Sequence, residues 1–391
     1  MHAHNSILCI LPPHVLDQII QNGSPEQRNL AQQTVTASRL IRDQRNAARL
    51  GGATRRVVRR GEMAAAANKQ RTIYDAQHGS TLPGTKVRGE GDPDSSDVSV
   101  NEAYDGSGTT FDLYYNIYGR NSVDNNGLKL DSSVHYQVGY DNAFWNGNQM
   151  VYGDGDENLP ANQRLFNRFT IAIDVIGHEL THGVTQYEAN LDYANQPGAL
   201  NESFSDVFGS LVKQYHLQQT ADQADWIIGQ GLLTANVKGV GLRSMKAPGT
   251  AYDDPVLGKD PQPANMSSYV NTSQDEGGVH INSGIPNHAF YVVATEIGGF
   301  AWEKAGMIWY KALTDKLTSS SNFQDAANLT FQAATELYGS GSLEETAVKT
   351  GWSEVGITVG DVPPVTPPSG DGCLTATLRA MGFLGSQPAR K

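Results

Sequence analysis

Hydrophobic and polar positions follow two rhythms along the chain. Residues 14–49 carry apolar side chains at helical spacing, interrupted at Asn22-Gly23-Ser24-Pro25, where Ser24 can cap and Pro25 suits the first turn of a second helix. Leu30, Thr34, Ala37, Leu40 and Ile41 give that helix a thin apolar stripe. From about residue 70 to 170, short Tyr, Val, Ile and Phe stretches are punctuated by Gly, Asn and Asp, as in residues 111–118 and 134–138. This predicts a mostly stranded region. Helical periodicity dominates from 171 to 356, including residues 290–297, 301–317 and 323–338. The expected fold is therefore α+β and two-lobed, strand-rich over 69–177 and helical over 178–360, with a cleft between the lobes.

The ends read differently. Residues 1–50 form a candidate helical prosegment, and residues 51–68, with Gly51-Gly52 and two Arg pairs, read as an exposed, cleavable linker. Cutting is expected between Asn46 and Met63, with Arg49–Leu50 and Arg56–Val57 as candidate bonds. Residues 361–391 begin as a Pro-rich linker and end in a tail to which no role is assigned.

Charge sharpens this division. The net charge is −12, yet residues 1–60 hold nine Arg, no Lys and only Asp17, Glu26 and Asp43 as acids. A basic arm and an acidic body attract each other. A nucleic-acid-binding arm is the rival reading, but no aromatic residues interleave the basic stretch and the acidic body repels phosphate. No apolar run approaches the roughly 18 residues that span a bilayer, so neither nucleic acid nor membrane is an expected partner. Cys9 and Cys373 are the only cysteines and lie near opposite ends, which leaves thiol chemistry no part in the expected reaction. Residues 1–16 lack a basic start, and Pro12-Pro13 cut the apolar stretch short. Secretion by a route without a classical signal peptide is expected, with a cytoplasmic precursor as the alternative.

The chemistry concentrates in His178-Glu179-Leu180-Thr181-His182. On a helix, positions i and i+4 share a face, so two imidazoles can bind one tetrahedral metal while Glu179 reaches a water beside it. A catalytic zinc needs a third ligand, and Asn201-Glu202-Ser203-Phe204-Ser205-Asp206 supplies candidates. Phe204, Val207, Phe208 and Leu211 form the buried stripe of that segment, leaving Glu202 and Asp206 on the other side. These two are either a solvated acidic face or a ligand and the carboxylate that orients a histidine.

These residues resemble the thermolysin family of metallopeptidases from about residue 72 to 358. The likeness is carried by Asn142-Ala143-Phe144-Trp145, residues 178–185 and 198–208, Leu242-Arg243-Ser244-Met245 and residues 277–284. It implies a zinc-dependent neutral endopeptidase with one zinc ion held by His178, His182 and Glu202. Glu179 is implied to activate the zinc-bound water, Tyr193 and His280 to stabilise the oxyanion, and Asp275 to orient His280. Asp206 and Asn201 are implied partners of the ligand imidazoles. Asn142 and Ala143 match the edge that takes an extended peptide, and Arg243 matches a substrate-carbonyl binder. Phe166, Phe169, Val175, Ile228 and Leu242 match the pocket for a large apolar residue after the cut. On the residues alone these five are equally core, Tyr193 packing, and His280 a hydrogen-bonded core histidine.

The likeness departs at two places. Asp174 and Asp225 persist from a family calcium cluster, but Lys213, Ile227 and Gln230 stand at its other carboxylate positions, so a double calcium site is expected to be absent. Lys213 is expected to pair with Asp174 or Asp225. The short N-terminal segment, with Pro12-Pro13-His14-Val15-Leu16, resembles that of a protealysin-like subgroup. It implies a zymogen whose prosegment lies against the cleft as an intramolecular inhibitor, with proteins and peptides as substrates. Whether Cys9 or His14 approaches the metal stays open. The competing readings are a zinc-holding scaffold without catalysis and a hydrolase of small amides.

Overall fold

The computed structural model describes residues 8–50 and 69–360, with side chains described over 9–39 and 69–360. The linker 51–68, with Arg56–Val57, and the tail 361–391 lie outside the described residues.

The N-terminal segment opens with a two-residue strand, β1 (Leu8–Cys9), followed by helices α1 (Pro13–Asn22) and α2 (Pro25–Leu50). The break falls at Gly23-Ser24, as the sequence predicts, and the Ser24 hydroxyl accepts from the Gln27 amide at 3.3 Å. α1 buries Val15, Leu16 and Ile19, and α2 buries Leu30, Thr34 and Ala37. Each buried aliphatic side chain contributes about 2 kcal/mol of transfer free energy. Val15, Leu16 and Ile19 join the main apolar core, which ties the segment to the body.

The first lobe contains β2 (Arg71–Asp75), β3 (Thr85–Gly89), α3 (Val98–Tyr118), β4 (Leu130–Val134), β5 (Ala143–Trp145) and β6 (Met150–Tyr152). With β1 they form one six-stranded sheet in the order β1-β5-β6-β4-β2-β3. β1 thus supplies an edge, pairing antiparallel to β5 with Leu8 opposite Trp145 and Cys9 opposite Phe144.

Residues 111–118 are helix, not strand. α3 is capped by the Asp97 side chain, which accepts from the Ser99 amide at 2.9 Å and contributes about 1 kcal/mol. Val100, Ala103, Tyr104, Ser107, Phe111, Tyr114 and Tyr118 all face inward from this helix. A Cβ on its Gly106 would stand 2.3 Å from Ile176 Cδ1. The glycine lets α3 press against the helix of the metal motif. Of residues 134–138 only Val134 lies in a strand, because His135 and Gln137 take positive φ and turn the chain.

The second lobe begins within α4 (Ile173–Tyr187), which spans both sides of the expected boundary at 177/178, and continues with α5 (Asn195–Leu217). A small ribbon, β7 (Ile227–Ile228) with β8 (Arg243–Ser244), precedes α6 (Asp275–Asn282), α7 (Gly284–Ile297), α8 (Lys304–Asp315), α9 (Phe323–Tyr338) and α10 (Leu343–Glu354). α4 and α5 pack closely because a Cβ on Gly209 would come within 2.4 Å of the Asp174 carbonyl oxygen. That close approach brings the two chemical motifs together.

Candidate active site

α4 carries His178 and His182 on one face, their ring centroids 4.6 Å apart and their planes nearly perpendicular. Both are fully buried, as are Glu179 and Glu202. Two carboxylates compete for the place beside the imidazoles. Glu179 clusters with both histidines, all three offering ligand atoms within 4.8 Å of one another. Glu202 comes from α5 and puts its oxygens 3.5 Å from His178 Nε2 and 3.4 Å from His182 Nε2. One oxygen of each is engaged, Glu179 Oε2 by the Trp145 amide at 2.9 Å and Glu202 Oε1 by the Tyr193 hydroxyl, while Glu202 Oε2 and His178 Nε2 have no hydrogen-bond partner. Buried lone pairs of this kind are costly unless a cation takes them, so His178, His182 and Glu202 fit a zinc ion.

The outer nitrogens are fixed. His178 Nδ1 faces Asp206 at 2.8 Å, and His182 Nδ1 faces Asn201 Oδ1 at 2.8 Å and Ser205 Oγ at 2.9 Å. Such contacts set the ring tautomers and turn Nε2 inward. Asp206 also receives Arg243 Nε at 2.7 Å, Arg243 Nη2 at 2.8 Å and Asn287 Nδ2 at 2.8 Å. Burial alone would raise its pKa, but the Arg243 charge and the His178 contact hold it well below the usual carboxylate range. Burial would likewise lower Arg243, and Asp206 reverses the direction and keeps the guanidinium charged.

On the other side stand Tyr193, His280 and Asp275. Asp275 accepts both the His280 amide at 2.8 Å and a bond from Nδ1 at 2.6 Å. This double grip needs an unusual backbone: Asp275 and Glu276 each have φ of 50°, followed by Gly277 at 89° and Gly278 at 76°. Left-handed Asp and Glu are locally unfavourable, and strain of this kind gathers at functional sites. His280 would be lowered by burial, yet Glu202 and Asp275 push it up to about 9. Tyr193 OH lies 3.2 Å from His280 Nε2 and donates to Glu202 Oε1. Burial, reinforced by Glu202, raises the phenol well above its ordinary value.

The N-terminal segment enters this group as extended backbone. The Ile10 amide donates to the Ala143 carbonyl at 3.3 Å, and the Leu11 amide to Asn142 Oδ1 at 3.0 Å. Asn142 Nδ2 returns a long bond of 3.5 Å to Leu11 O, Arg243 Nη1 donates to Ile10 O at 3.0 Å, and His280 Nε2 lies 3.0 Å from Cys9 O. Cys9 approaches with its carbonyl, while its side chain clusters with Ala37, Tyr136, Tyr140, Phe144 and Val151. His14 Nε2 meets Tyr252 OH at 3.1 Å, and burial lowers its pKa to about 4, with Asp275 opposing and the His280 and Arg243 charges reinforcing. Phe166, Phe169, Val175, Ile228 and Leu242 are all buried in the apolar cluster that also takes Ile10, a cluster running through the whole core.

At Asp174 and Asp225, where no calcium pair is expected, Lys213 Nζ donates to both Asp225 oxygens at 2.9 and 2.8 Å and to the Ile227 carbonyl at 3.1 Å, and stands 3.5 Å from Asp174. Lys213 pairs with both carboxylates, not one. Burial raises Asp174 while the Lys213 charge opposes the rise.

Ser205, Asn287, Gln262 and the Trp145 amide belong to the site but escape sequence reasoning. Ser205 lies one turn after Asn201, a spacing that could have marked it. Gln262, whose Nε2 donates to His280 O at 2.8 Å, and Asn287 come from separate segments and carry no local signal.

Comparison with known proteins shows the family. The chain matches family models for the thermolysin metallopeptidase catalytic domain over residues 52–186 and the thermolysin metallopeptidase alpha-helical domain over residues 189–357. It is 49% identical to an extracellular metalloprotease of Pectobacterium carotovorum subsp. carotovorum over 354 residues, covering 90% of this chain and 97% of that protein. It is 45% identical over 362 residues to protease PrtS of Photorhabdus sp. (strain Az29), covering 91% of this chain and 94% of that one. Its structure is similar to that of the precursor of protealysin, a metalloproteinase from Serratia proteamaculans, with a TM-score of 0.79 and 50% identity over 90% of this chain and 99% of that one. The chain belongs to the thermolysin family of metallopeptidases, and to its protealysin-like branch.

Proposed function

We propose that this metalloendopeptidase is a zymogen, and that residues 8–50 inhibit it by occupying the place of a peptide substrate. The observation that carries the reading is the bonding of β1 and its continuation to Ala143, Asn142, Arg243 and His280, the strand-addition mode by which extended peptides are held. His178, His182 and Glu202 would hold zinc, which when bound supplies Lewis-acid polarisation of a carbonyl and of water. Glu179 accepts a proton from the attacking water and delivers it to the departing nitrogen. His280, fixed by Asp275, donates to the oxygen that gains charge, and Tyr193 joins it once its hydroxyl leaves Glu202. Arg243 and Asn142 align the chain on the departing side, and a large apolar residue follows the cut. Asp206, Asn201 and Ser205 keep the imidazoles oriented.

The Lys213 ammonium takes the place of a calcium pair, so one metal ion suffices. Relatives named as extracellular proteases support secretion of this chain, and among the described residues no helix is long and apolar enough to cross a membrane.

The test compares wild type with Glu179→Ala, each alone and with denatured protein, with and without a zinc chelator. Wild type alone cuts substrate before large apolar residues and shortens itself within 46–63, and chelation abolishes both. Zinc bound by both proteins with substrate left intact, even after the N-terminal segment is removed, would refute the reading.

A further inference from the structure

The N-terminal segment lies among the site residues in a defined register. Five backbone polar groups of residues 9–11 are held, and they fix both direction and phase. Ile10 N–H points to Ala143 O and Ile10 C=O receives Arg243 Nη1, so the peptide planes before and after residue 10 are each held. Leu11 is bracketed by the two ends of the Asn142 amide. The next carbonyl back, Cys9 O, lies 3.0 Å from His280 Nε2. A carbonyl oxygen can only accept, so Nε2 carries the proton here, the arrangement needed for an oxygen that gains negative charge. The same Nε2 is 3.5 Å from Glu202 Oε2 and 3.2 Å from Tyr193 OH. Glu179 reaches this strand through the Trp145 amide, and Trp145 pairs with Leu8 next to Cys9. The residue after this carbonyl is Ile10, a large apolar side chain with no exposure.

We propose that Cys9–Ile10 is a substrate bond of the chain's own active site, cut in cis as a first maturation step distinct from cutting within 46–63. This rests on the catalytic reading above. Water's oxygen joins the Cys9 carbonyl carbon, its two protons pass in turn through Glu179 to the Ile10 nitrogen, and the C–N bond breaks. The products are a Cys9 carboxylate and an Ile10 ammonium. Residues 1–9 depart, while Arg243, Asn142 and the buried faces of α1 and α2 still hold the new terminus. The nicked chain therefore stays inhibited until the second cut.

The test uses the full chain. Purified metal-free precursor is loaded with zinc and followed by intact mass and N-terminal sequencing. A chain starting Ile10-Leu11-Pro12-Pro13 is expected, and its rate constant should not change on about tenfold dilution, because the step is unimolecular. Ile10→Asp should lose this cut and Ile10→Leu should keep it. A second readout needs no turnover. In a Glu179→Ala, Cys373→Ser chain grown with carbonyl-labelled cysteine, Cys9 carries the only label. Its infrared carbonyl band should move on zinc titration, while a label at Leu11 should not. Zinc binding and digestion of added protein with Cys9–Ile10 intact and the band unmoved would overturn this proposal and leave the catalytic reading standing. Failure to bind zinc or to digest protein would overturn both.

Discussion

Two charge clusters draw on the same helices, α4 and α5, with Asp225 after α5 completing the second, and they are completed in opposite ways. At one, His178, His182 and Glu202 converge with inward atoms left unsatisfied by the protein, at His178 Nε2 and Glu202 Oε2. At the other, Asp174 and Asp225 converge on the ammonium of Lys213. The first asks for a cation from solution and the second supplies one covalently. Burial is nearly complete at Asp174 and Glu202 while Asp225 reaches solvent, so the clusters differ in donor set and, at one carboxylate, in depth. One helix pair thus offers a set of cation ligands at its centre and a carboxylate pair already faced by an ammonium near its end.

The largest effect expected is at the first cluster. Glu179→Ala should keep zinc and lose roughly 10²–10⁴-fold in peptide hydrolysis, the usual contribution of a positioned general base. Parallel loss of zinc and activity would instead make Glu179 a ligand and redraw the cluster. At the second, Lys213→Ala leaves Asp174 buried without its countercharge and should cost about 3–5 kcal/mol in denaturant unfolding. Millimolar calcium should restore part of that loss while leaving wild type unchanged; a wild-type melting temperature that rises with calcium would break the contrast.

A smaller effect is expected one contact away from the ligands. Asp206→Asn should weaken zinc affinity by about 10–100-fold, since it removes the acceptor that fixes His178. It should also lower affinity for peptides through Arg243. The smallest effect calibrates the others nearer the surface. His135 bridges Asp154 at 2.9 Å and Asp97, the α3 cap, at 2.7 Å. Its pKa rises to about 9, chiefly through the Asp154 hydrogen bond and against partial burial. A raised folded-state pKa means the stabilisation is complete below about 6.5 and lost as pH climbs through about 9. His135→Gln should therefore cost less than about 1 kcal/mol at pH 6, and the difference should vanish above pH 9 in pH-dependent thermal melts.

Much of this was legible because it is local. His178 and His182 at i and i+4, Glu202 and Asp206 one turn apart, and the Asn22-Gly23-Ser24-Pro25 break are all decided within a turn of helix. Residues 111–118 were misread because aromatic and β-branched side chains favour strands in isolation, whereas packing against Ile176 through Gly106 rewards a helix. Arg243, His280 and Tyr193 come from separate segments and were reachable only through family likeness. Gln262 and Asn287 were not reachable, since their partners lie 18 and 81 residues away and nothing in the local pattern marks them. The seating of Cys9 and Ile10 depends on strand register, which sequence does not fix for so short a strand.

The most direct measurement is the metal content of the purified chain after exhaustive dialysis, for wild type, Glu202→Gln and Lys213→Ala. The account predicts about one equivalent of zinc and no calcium in wild type, zinc lost in Glu202→Gln, and zinc kept in Lys213→Ala. Tightly held calcium in wild type, or full zinc in Glu202→Gln, would contradict it.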